Sequence, residues 1–96
     1  MTLASPGAST GFDPDAPARL STQVSLRPES FGALAYHFGN RRLVFVKSPA
    51  LVDVLRDLEH HVSAREAVVA HVGSDEVEPY LDALGRLSAS GVVDGR

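Results

Sequence analysis

From about Thr22 the chain alternates apolar and polar residues with period two. Val24 and Leu26 stand among Gln23, Ser25 and Arg27, which predicts a short strand stopped by Pro28. Residues 33–38 and 41–47 alternate in the same way around Gly39-Asn40, a pair that tolerates positive φ and suits a tight primed turn. A two-residue turn sets Tyr36 opposite Leu43, Leu34 opposite Phe45 and His37 opposite Arg42. Leu34, Tyr36, Leu43 and Phe45 then share one face, expected to lie on the core. Ala35, His37, Arg42, Val44 and Val46 share the other.

After Lys47 the period becomes helical. Ser48-Pro49 reads as an N-cap with proline at the first helical position, and Leu51, Val54, Leu55 and Leu58 form an apolar stripe. Ser63 and Glu66 make a capping box for a second helix expected to bury Val68, Val69 and Val72 and to end at Gly73. A third helix carries Val77, Tyr80, Leu81, Leu84 and Leu87. Pro79 argues for a regular start near Val77 rather than at Ser74. Gly91 stops it, and Val92-Val93 can add a short strand. The expectation is an α+β, winged-helix-like fold: a three-stranded antiparallel N-terminal sheet, three helices and a short C-terminal strand. The folded domain is expected over 21–93. Residues 1–20, with Pro6, Pro14 and Pro17 among small residues, read as a disordered tail in which Phe12 is the one aromatic, and 94–96 as a C-terminal tail.

At 96 residues this is one small domain, and with no cysteine it has no disulfide, thiolate metal site or cysteine nucleophile. No apolar run is long enough to span a membrane and no signal peptide is visible, so a cytoplasmic protein is expected. The net charge of −3 argues against general nucleic-acid or anionic-membrane binding. That charge is unevenly divided. Arg19, Arg27, Arg41, Arg42 and Lys47 face only Glu29 over residues 19–47, whereas acids outnumber bases over 48–96. Such a division arises by chance or marks a hairpin that attracts an acidic ligand. A winged helix invites a DNA-binding regulator as an alternative, but Asp75, Glu76, Glu78 and Asp82 would repel phosphates with only Arg86 against them.

Edge strands are normally protected by an inward charge, a proline or a bulge, and 41–47 has none in its middle. A peptide could add there as a further strand. Equally, Val44 and Val46 could pack under the helices, or two copies could pair edge to edge in a structural homodimer. His37, His60, His61 and His71 show no metal-ligand spacing and read as surface or helix-end residues. Nothing offers a catalytic site, a metal site or a cofactor-binding loop.

Arg27-Pro28-Glu29, Phe31-Gly32-Ala33, Tyr36-His37-Phe38-Gly39, Arg41-Arg42-Leu43 and Lys47 together form a dense pattern within Ser25 to Leu58. This pattern resembles the mycofactocin biosynthesis chaperone family. The resemblance implies a peptide recognition element similar to the pyrroloquinoline-quinone peptide chaperone. Such a domain binds the leader of a ribosomally made precursor and presents its far end to a radical S-adenosylmethionine maturase. It further implies that an acidic leader lies along Arg41, Arg42, Leu43, Val44, Phe45, Val46 and Lys47, with Tyr80, Leu84 and Leu87 as walls. The protein would be a monomer or weak homodimer without a cofactor of its own.

Overall fold

A computed structural model describes residues 12–96. In chain order they form β1 (Ala18–Leu20), β2 (Val24–Glu29), β3 (Gly32–His37), β4 (Leu43–Val46), α1 (Pro49–Asp57), α2 (Ala64–His71), α3 (Val77–Ala89) and β5 (Val93–Gly95). Single 3-10 turns, Leu58–His60 and Ser74–Glu76, lead out of α1 and into α3. The strands make two antiparallel sheets, one in the order β2-β3-β4 and one pairing β1 with β5. The C-terminal strand therefore joins an N-terminal strand instead of extending the hairpin sheet. No helix among these residues is long and apolar enough to cross a membrane.

Ordered structure reaches further toward both ends than periodicity suggested. Ala18 pairs with Gly95 and Leu20 with Val93, so part of each expected tail is strand. Pro14 and Ala16 accept backbone hydrogen bonds from Arg65 and Ala64 at 2.8 and 3.3 Å, and Phe12 packs against the core beside Gly85. The expectation of disorder over residues 1–11 lies outside the described residues.

The hairpin register is the expected one, with Tyr36 opposite Leu43 and Leu34 opposite Phe45. Its turn is not. His37 N–H donates to Arg42 O at 2.9 Å, closing a four-residue loop in which Arg41, rather than Gly39 or Asn40, takes the positive φ of 61°. Side chains hold that loop. His37 Nδ1 accepts from Gly39 and Asn40 N–H, and Asn40 Oδ1 accepts from Arg42 N–H.

The face that meets the core is also the reverse of the expected one. Ala33, Ala35 and Val46 are buried, while Tyr36, Leu43 and Phe45 are exposed. The reason is distance. Helix α1 packs onto β3, and only small side chains leave room for it. Gly32 serves the same close packing: its φ is +146°, and a Cβ there would collide with the Val46 carbonyl. Pro28 does not stop β2, because that strand is an edge and tolerates a residue with no N–H.

The helices start where the caps predicted. Ser48 Oγ accepts from Leu51 N–H at 3.2 Å and Ser63 Oγ from Glu66 N–H at 3.1 Å. Helix α2 buries Ala64, Ala67 and Val68 but leaves Val69 exposed, another departure from expectation. Helix α3 closes in a Schellman motif: Val92 N–H donates to Leu87 O, Gly91 N–H to Ser88 O, and Gly91 takes φ +88°. That left-handed residue turns the chain into β5.

Candidate peptide-binding groove

Strand β4 pairs with β3 alone, so its other rim is free of any strand among the described residues. Antiparallel pairs alternate between hydrogen-bonded and non-hydrogen-bonded partners. Because His37 and Arg42 are a bonded pair, so are Ala35 with Val44 and Ala33 with Val46. The N–H and C=O groups of Leu43 and Phe45 therefore point away from the sheet. Their spacing suits an incoming extended chain.

Beside this rim lies an open groove of about 640 Å³. One bank is β4 with Arg42 and Lys47 at its ends. The other is the α3 stripe Ala83, Arg86, Leu87 and Ser90, which recurs at i, i+3, i+4, i+7, with Ser48 and Leu51 toward α1. Arg42, Lys47 and Arg86 are the charged residues of this lining, and no acid accompanies them. Val44, Leu51 and Leu87 are among the apolar residues of the lining, so the groove combines a hydrogen-bonding rim, an apolar wall and a positive field.

The residues singled out from sequence divide into groups. Arg42, Leu43, Val44, Phe45, Val46, Lys47 and Leu87 are brought together along the groove. Val46 is its floor and is buried in the core. Tyr80 stands beyond the lining, its hydroxyl 3.3 Å from Ser48 Oγ. Arg41 belongs to the hairpin loop, and Leu84 is wholly buried in the core. Ala83, Arg86 and Ser90 were missed as site residues. Their signal was the short, polar stripe of α3 adjoining its leucine stripe, which hydrophobic periodicity passes over.

The other face of the sheet is also apolar. Phe31 stacks on Phe45 at 5.8 Å, and Tyr36 meets Phe38 edge to face at 5.4 Å. These rings, with Leu43, leave an exposed aromatic surface that shares β4 with the groove. His60 and His71 are exposed and lie at helix ends, as expected, but His60, His61 and His71 also converge on Asp57 near the α1–α2 junction, on residues outside the groove lining.

The described residues thus form a two-sheet α+β domain with a strand edge that is free among them and flanked by cations. The model of the peptide chaperone MftB family matches residues 17–94, and the chain belongs to that family. It is 49% identical over 83 residues to a peptide chaperone MftB of Mycolicibacterium smegmatis, covering 85% of this chain and 81% of the relative. It is 43% identical over 86 residues to one of Mycobacterium tuberculosis, covering 88% of this chain and 79% of the relative. No solved structure matches the chain significantly.

Proposed function

We propose that this protein is a non-catalytic, cytoplasmic peptide chaperone of mycofactocin biosynthesis. It holds the leader of the ribosomally made precursor as an extra strand on β4 and presents the far end to a radical S-adenosylmethionine maturase. Membership of the peptide chaperone family supports the role. The observation that carries the mechanism is the unpaired rim of Leu43 and Phe45 facing a groove with three cations and no acid in its lining. Backbone pairing supplies affinity, Val44 and Leu87 receive apolar side chains, and Arg42, Lys47 and Arg86 set register and on-rate for an acidic segment. Tethering then makes the encounter of core peptide and maturase effectively intramolecular. The fold is read as a winged-helix relative in which α3 borders cargo rather than DNA.

Titrating the chain with a synthetic precursor leader tests this reading. Amide shifts should concentrate at residues 42–48 and 83–90, and Arg42→Glu should weaken binding and lessen its salt dependence. Shifts confined to other surfaces would refute strand addition. The exposed aromatic face favours a second reading, a homodimer formed through the sheet. Sedimentation that showed a dimer unaffected by peptide would support it.

A further inference from the structure

Outside the groove, the junction of α1 and α2 gathers the densest set of metal-ligating side chains among the described residues. Asp57 closes α1, His61 lies in the link and His71 closes α2. His61 Nε2 is 2.7 Å and His71 Nε2 3.0 Å from the same oxygen, Oδ2 of Asp57. One ligand atom from each residue lies within 4.8 Å of the others.

The bonding of His61 is the informative point. Its Nε2 faces Asp57, while its Nδ1 faces Glu66 Oε1 at 3.3 Å. A neutral imidazole has one N–H and can satisfy only one of these carboxylates. Either the ring carries a second proton, or a cation takes its place on the Asp57 side. The second arrangement leaves Nδ1–H to Glu66. This is the carboxylate–histidine–metal relay that fixes the tautomer of metal-bound histidines.

We propose that Asp57, His61 and His71 bind a divalent first-row transition metal ion of the Zn2+ class, with Glu66 orienting His61. Two imidazoles and a carboxylate suit Zn2+, Ni2+ or Cu2+ rather than Mg2+ or Ca2+, which prefer oxygen ligands alone. Ligand atoms around tetrahedral zinc at 2.0–2.1 Å stand about 3.3 Å apart. The two spacings to Asp57 Oδ2, 2.7 and 3.0 Å, therefore open by about half an ångström or less to admit the ion. Water fills the fourth position, or His60 after rotation, since its Nδ1 already lies 3.3 Å from Asp57 Oδ1. The charge balance is favourable, with Asp57 and Glu66 at the site and Glu59 4.0 Å from His60. Arg96 donates to the backbone carbonyls of His61 and Ala18. The ion would clamp the ends of α1 and α2 together, away from the peptide groove.

Equilibrium dialysis and calorimetry of the full chain with Zn2+ test the site, with circular dichroism verifying that each variant is folded. One equivalent should bind per chain and raise the melting temperature. Glu66→Gln should weaken binding about 10–100-fold as an outer-shell loss. His71→Gln, an exposed helix-end change, should weaken it more, and His37→Gln, in the hairpin, should leave it unchanged. No uptake at submillimolar Zn2+ by the wild-type chain, or wild-type affinity in folded His71→Gln, would overturn the assignment.

Discussion

The two faces of the β2-β3-β4 sheet invert a common expectation. The face with alanines and a valine is buried, and the face with tyrosine, leucine and phenylalanine is exposed. Apolar bulk marks a core position only where the covering element stands far enough off to accept it. Here α1 lies close over β3, so Ala33 and Ala35 fit and an aromatic ring would not. The large side chains are left on the side where nothing among the described residues covers them. An uncovered aromatic face costs solubility and is expected where a partner docks.

The largest test of this contrast is Ala35→Leu, which adds bulk beneath α1. It should lower stability by about 1–3 kcal/mol, read as a reduced urea midpoint, while Phe45→Ala costs no more than the loss of one ring pair, about 0.5–1.5 kcal/mol. Equal losses at the two positions would show that the faces are not distinct. Prolines sharpen the comparison at the backbone. Val44→Pro removes a ladder donor to β3 and should destabilise the fold by about 1–3 kcal/mol. Phe45→Pro spares the ladder to β3 but removes an outward donor along with the ring pair to Phe31. Its stability cost should stay near that of Phe45→Ala, and it should weaken leader binding by roughly a further 0.5–1.5 kcal/mol relative to Phe45→Ala in a calorimetric titration.

The smallest effect lies away from the sheet and supplies a reference. The hydrogen bond from His61, and then that from His71, lowers the Asp57 carboxyl to about 2 from 3.8. The same contact with Asp57 raises His61 above 6.5. Asp57 contributes stability above its unfolded value and loses it as pH falls toward 2. His61 contributes fully below its unfolded value and loses that stability as pH rises through its raised one. Without added metal, the metal-free chain should have a slightly higher urea midpoint at about pH 5 than at about pH 8, and His61→Gln should flatten that difference.

Much of this architecture was legible in the residues. Hairpin register followed from two alternations that agreed, and the Ser48 and Ser63 caps and the start of α3 at Val77 followed from local chemistry. What escaped depended on tertiary spacing. Alternation says which side chains share a face but not which face is covered. Gly39-Asn40 signalled a primed turn, yet His37 and Asn40 side chains stabilise a longer loop. Strands β1 and β5 are three residues each, too short for a period to register. The part of the groove made by β4 was readable as an undefended edge. The α3 bank was not, because Ala83, Arg86 and Ser90 matter through their position opposite β4. The histidines meet because two helix ends meet, which spacing along one helix could not reveal.

The pairing of Ala18 with Gly95 joins positions separated by almost the whole described chain. Closing so long a loop is entropically costly until the intervening helices have collapsed, so this clasp should be a late event in folding. During synthesis it cannot form before residues 93–95 leave the ribosome. The hairpin is synthesised well before α3 and β5, and the nascent chain should therefore acquire its binding edge before it acquires the α3 bank and its final stability.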